Sequence, residues 1–182
     1  MIRTHPRIFW GTLIILLAGA VFVLVWFQPQ KLFIEKTVSE ALPAAEGEDG
    51  GDEGADPGSS PDPAGGAGEP TVLASGMFQR LEHPTMGTAT IVELKDGQRY
   101  LRFEDLDTSN GPDLRVYLSE IPASDDWYAY GERFVDLGGL KGNRGDQNYV
   151  LPDDLDLSKY KSAVIWCRRF TVGFGVACLE QA

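Results

Sequence analysis

The sequence predicts an all-β fold, an antiparallel β-sandwich or barrel-like domain, preceded by one transmembrane α-helix and a disordered linker. Three observations carry this reading. Residues 8–27 (IFWGTLIILLAGAVFVLVWF) are apolar, uncharged and free of proline. Residues 44–70 hold eight acidic residues, no basic one, and no Val, Leu, Ile, Met or aromatic residue. From Thr71 onward, short alternating or apolar runs are separated by Gly-, Asn- and Asp-rich turns, with no long helical period. The chain therefore divides into an N-terminal leader (1–7), a helix (8–27), a juxtamembrane segment (28–43), a linker (44–70) and a β domain (71–182).

As a helix, the twenty residues Ile8–Phe27 span about 30 Å, the thickness of a bilayer hydrocarbon core. Trp10 and Trp26 fall where interfacial aromatic belts lie. A cleaved signal peptide carries a shorter apolar region, about 7–15 residues, and here the small residues Ala18-Gly19-Ala20 are followed by more apolar ones. The run reads as an uncleaved signal anchor. Arg3 and Arg7 precede it and Lys31 and Lys36 follow, a slight bias toward a cytoplasmic N-terminus. The expectation is a single-pass protein of the cell membrane with its main domain extracytoplasmic. A short interfacial helix is expected around Phe33 and Ile34.

The linker lacks the apolar surface that would offset the entropy of ordering it, so it reads as a solvated spacer holding the domain off the membrane. The net charge of −11 is distributed as +2 over residues 1–43, −8 over 44–70 and −5 over 71–182. The low pI thus arises mainly in the linker and is not evidence about a binding site. No basic patch is visible, which excludes nucleic acid as an expected partner.

Within the domain, Thr88–Leu94 and Arg99–Leu106 flank Lys95-Asp96-Gly97-Gln98, and Asp-Gly between strand-like runs is a hairpin signal. Leu114, Val116 and Leu118 share one face of the next strand, after a turn at Asn110-Gly111-Pro112. Phe134–Leu137 and Tyr149–Leu151 are short strands with Gly138-Gly139 and Gly142-Asn143 between them. Ser162–Cys167 (SAVIWC) is an unbroken apolar run, the pattern of a strand buried on both faces. Phe170, Val172, Phe174, Val176 and Cys178 then alternate with smaller residues, which places all five on one face.

Four of these pieces occur together in a known family: Gly111–Ser119 (GPDLRVYLS), Leu137–Tyr149 (LGGLKGNRGDQNY), Val164–Cys167 (VIWC) and Phe170–Leu179. With His83 and Gly87 upstream, residues 76–179 resemble the DM13 domain in both order and spacing. The resemblance implies a β-rich extracytoplasmic module, of a kind often found beside DOMON and cytochrome b561 domains. It further implies a role in electron transfer resting on a cysteine that matches Cys167.

Cys167 is accordingly the candidate redox thiol, since a thiol cycles between oxidation states under mild conditions. Arg168 and Arg169 follow it, and neighbouring cations favour the reactive thiolate. Two other readings stay open. One is an inert cysteine buried in a central strand. The other is a structural disulfide with Cys178, a second cysteine that the family pattern does not require. A hairpin turn near Val172-Gly173 would bring the two together, whereas a turn near Phe170 separates them, and the alternation starting at Phe170 favours the separated arrangement.

Metal chemistry finds little support. Blue copper needs two histidines beside the cysteine, and the domain has only His83. The cysteines needed for an iron–sulfur cluster and the Cys-x-x-Cys-His of covalent haem are absent. Noncovalent haem would use His83, Met77 or Met86 as axial ligand. Arg144-Gly145-Asp146 spells an integrin-binding tripeptide, but it falls inside the family's own turn. The function expected is a membrane-anchored redox module with an unidentified membrane or extracytoplasmic redox partner. The alternative is a non-catalytic binding or adhesion module.

Overall fold

The computed structural model describes residues 6–27, 35–43 and 69–182. The region expected around Phe33 and Ile34, and the linker up to residue 68, lie outside the described residues. The backbone is helical over Pro6–Phe27 (α1). Side chains of α1 are described from Trp10 to Val25, and no helix among the described residues is long and apolar enough to cross a membrane. The membrane span expected at residues 8–27 is therefore not shown among the described residues.

The remainder is mostly β. In chain order the strands are β1 (Thr37–Ser39), β2 (Thr71–Arg80), β3 (Thr85–Glu93), β4 (Arg99–Thr108), β5 (Leu114–Ser119), β6 (Phe134–Gly139), β7 (Arg144–Val150), β8 (Ser162–Cys167), β9 (Val172–Cys178) and β10 (Glu180–Gln181). They form one curled sheet in the order β1-β7-β4-β3-β2-β9-β8-β5-β6, with β10 added beside β2. All pairings are antiparallel except β1 with β7, which run parallel. The result is a half-barrel with edges at β1 and β6.

Strand β2 is the hinge of the curl. Residues from Thr71 to Met77 pair with β3, whereas Phe78–Arg80 pair with β9. The crossing is tight: a Cβ on Gly76 would lie 1.8 Å from the Cys178 carbonyl oxygen. The predicted β3–β4 hairpin is present. Gly97 takes the positive φ of +85° that its turn demands, and the Gln98 N–H donates to the Asp96 carboxylate at 2.8 Å.

The concave side holds the main core, in which Phe78 meets Phe103 edge-to-face at 5.0 Å among Leu101, Leu118, Ile165 and Leu151. A second, smaller cluster lies on the outer face of β5, β8 and β9, where Tyr117, Val164, Trp166 and Val176 pack with Leu81 and Tyr130. Two cores on opposite faces explain why SAVIWC is apolar without interruption: Ala163, Ile165 and Cys167 face inward, Val164 and Trp166 outward.

Two expectations are corrected. The alternation of β9 does not hold throughout, because Ile165 pairs with Gly175 and Trp166 with Gly173, leaving Phe174 as an extra residue in a bulge. Val172 and Phe174 therefore join the main core while Val176 faces the outer cluster; Phe170 lies in the preceding turn, half exposed. The second correction concerns residues 35–43, expected to be a transitional stretch. Their central residues form β1, whose partners are Arg144, Gly145 and Asp146 of β7.

Candidate functional site

Cys167 ends β8, opposite Leu114 on β5 and Val172 on β9. Its side chain is fully buried in the main core. The β8–β9 turn, Arg168–Thr171, folds back over it, with Thr171 at a φ of +53°. Through this turn the backbone N–H groups of Phe170 and Arg169 act on the sulfur to favour its thiolate, and the backbone N–H of Asp113, just before β5, acts the same way. The Arg168 N–H donates to the Asp113 carbonyl at 3.0 Å, and its Nε to the Asp113 carboxylate at 2.8 Å. One loop end and one strand start are thus locked together around the thiol.

The expected depression of the thiol pKa does not occur. Burial pushes the Cys167 thiol above its ordinary value, and the Asp113 carboxylate pushes the same way, outweighing the three N–H donors. Adjacency in sequence to two arginines misled here, since Arg168 is turned outward into its pair with Asp113.

Cys178 sits at the other end of the hairpin, opposite Ser162. Five residues of strand separate that position from Cys167, roughly 17 Å. A disulfide needs Cα atoms within about 7 Å, so none forms, and both cysteines are free.

Of the three haem candidates, His83 and Met86 line one cavity of about 350 Å³, together with Glu35, Asp107, Thr108 and Arg144. The His83 ring packs on Phe174 at 4.0 Å between centroids. Met77 is highly exposed, opposite Thr88, and does not line that cavity. Most of the lining residues are charged or polar, Glu35, Asp107 and Arg144 among them, which does not suit a large apolar macrocycle. No group of three or more His, Cys, Asp or Glu is placed to hold a metal ion among the described residues.

A second cleft, of about 380 Å³, opens between the Asn110–Leu114 turn and the Leu140–Asn143 turn, with Lys36 at its rim. Its wall residue Leu114 is the direct strand partner of Cys167. The Leu140–Asn143 turn is held by Gln147, a wholly buried residue that the sequence reading did not single out. Its carboxamide oxygen accepts from the amides of Lys141 and Gly142 and, at 2.6 Å, from the Tyr149 hydroxyl; its Nε2 donates to the Gly142 carbonyl. Burial pushes the Tyr149 hydroxyl pKa well up, keeping it a protonated donor. A glutamine and a tyrosine two apart on one strand share a face, and that spacing was the available signal.

Fold and site together define a small half-barrel module with a lone buried thiol at the end of a central strand. Residues 77–179, more than half of the chain, match the family model described as Electron transfer DM13, and the chain belongs to the DM13 family. Comparison with curated proteins and with solved structures returns no match.

Proposed function

We propose that this protein is a membrane-anchored, extracytoplasmic electron-transfer module in which the Cys167 sulfur is the redox atom. The observation that carries the reading is a free sulfur at the position where the DM13 resemblance puts the family's cysteine, inside the matched residues 77–179, with the backbone N–H groups of Phe170, Arg169 and Asp113 acting on it to favour the thiolate. Hydrogen bonds of this kind stabilise electron density on sulfur without exposing it to water. With Cys178 out of reach, an internal dithiol–disulfide cycle is unavailable. The step left to a lone thiol is transfer of one electron to a one-electron oxidant on a partner protein and of its proton to water, leaving a thiyl radical. The reverse step regenerates the thiol.

The anchor reading rests on the apolar run Ile8–Phe27 and the basic residues before it. It is supported by the exposure of Ile14, Ile15, Leu16, Leu17 and Val25, an apolar surface that none of the other described residues covers. The domain limits 71–182 belong to the same proposal.

The test is voltammetry of the full chain in detergent. Wild type and Cys178→Ser should show the same one-electron signal, and Cys167→Ser should lose it while staying folded. An unchanged signal in folded Cys167→Ser ends the thiol mechanism. The complete burial of Cys167 favours a second reading, a binding module whose thiol is only packing, and absence of any signal in wild type would establish it. Topology is read separately: protease added to intact cells should cut within residues 44–70, and full protection would reverse the orientation.

A further inference from the structure

The outer edge of β7 is built to receive a strand, and residues 35–41 occupy it. Asn143, Asn148 and Arg102 are each at least nine-tenths buried and turn polar atoms toward this segment. The Asn143 Oδ1 accepts from the Lys36 amide at 2.7 Å at one end; the Asn148 Nδ2 donates to the Ala41 carbonyl at 2.8 Å at the other. Arg102 Nη1 donates to the Glu40 carbonyl at 2.9 Å. The Glu40 carboxylate takes Lys141 Nζ on both oxygens at 2.8 Å and the Asn148 amide at 2.9 Å. Arg144 pairs with Glu35 at 2.8 Å.

Steric evidence is independent of these bonds. A Cβ on Gly142 would have as its three nearest neighbours the Lys36 oxygen at 2.4 Å, the Val38 Cγ2 at 2.6 Å and the Lys36 carbonyl carbon. A Cβ on Gly145 would meet the Val38 oxygen at 2.0 Å. The glycines of the KGNRG turn thus leave room for the backbone of this segment, at a place where the sheet would otherwise end in open donors and acceptors.

We infer that the β7 edge is a strand-docking groove for an extended acidic peptide, and that its occupant is this chain's own segment Glu35–Ala41, held noncovalently in parallel register. The segment lies outside the part of the chain that matches the family. Both Ala41 and Thr71 are then fixed to the domain, and residues 42–70 connect them. A coil of that length has a root-mean-square span of roughly 30 Å, which places the segment at millimolar effective concentration near the groove. Main-chain pairing supplies affinity, and the Glu40–Lys141 contact fixes the register.

The test uses the full chain in detergent with a site-specific protease sequence inserted between Ala64 and Gly65. After cleavage at neutral pH, the two fragments should co-elute on size exclusion as one 1:1 pair and separate only in denaturant. Val38→Pro removes a ladder N–H and Glu40→Lys places like charges together; both lie outside the family-matched domain. Each should weaken retention about tenfold or more. Immediate separation of the wild-type fragments overturns the inference, as does retention unchanged by both substitutions. An uncut chain that is a dimer and exchanges tagged segments between copies overturns the assignment of the occupant to the same chain.

Discussion

Asp113 binds Arg168 through its carboxylate at 2.8 Å and acts on the Cys167 thiol through both its backbone N–H and that carboxylate. The same residue therefore fixes the turn that covers the thiol, favours the thiolate through its N–H and opposes it through its carboxylate. Burial sets the direction of the shift, and the Asp113 carboxylate adds a smaller push the same way, less than the Asp113 N–H takes away.

Alkylation of native Cys167 should be slow and should titrate above the ordinary thiol value. A thiol whose folded pKa is raised contributes stability that is complete below the unfolded value and is lost as pH climbs through the folded one. Unfolding free energy of wild type should therefore fall in that alkaline window, and Cys167→Ala should remove the thiol's part of that fall, leaving the part due to the buried tyrosines. A midpoint below that of a free cysteine would contradict the burial.

Asp113→Asn removes the carboxylate that opposes ionisation and releases Arg168 from its pair. Both changes favour the thiolate, so the alkylation midpoint should move down relative to wild type. The backbone N–H of residue 113 is unaffected by the substitution. A rate–pH profile on the two proteins checks the direction.

Gln147→Leu keeps approximate volume but strips the turn amides of Lys141 and Gly142, and the Tyr149 hydroxyl, of their shared acceptor. The expected cost is about 3 kcal/mol by denaturant unfolding, the scale of leaving buried donors unmet. Loss well under 1 kcal/mol would show that water replaces the carboxamide.

The docked segment should be acid-sensitive. Burial raises the Glu40 carboxyl, but Lys141, the Asn148 N–H and Arg102 together hold it below the ordinary carboxylate value. The contribution is thus complete above that ordinary value and is lost as pH falls through the lower, docked one. Retention of the cleaved fragments should weaken in this acid window for wild type and lose that dependence in Glu40→Gln.

Much of the half-barrel was legible in the sequence, and the exceptions share a cause. Ser162–Cys167 was readable to the residue because an apolar run buried on both faces has sharp ends. β2 was missed because TVLASGMFQR buries only Ala74 and Phe78, so no alternation stands out. β1 was missed because its hold is through backbone and carboxylate, with little apolar pattern to read. The position of the thiol was legible and its electrostatics were not. The residues that decide its pKa include Asp113, brought beside it by the β5–β8 pairing, whereas the reading had only the neighbours in sequence.

The parallel pairing of β1 with β7 also settles where the domain takes strain. Any pull arriving through α1 reaches the domain first at Glu35 and Lys36, and is borne in shear along the β1 ladder. Only when it yields does tension pass to Thr71, with the released loop adding up to roughly 100 Å of extra reach at full extension. The segment is a breakaway clip in series with a reserve of chain.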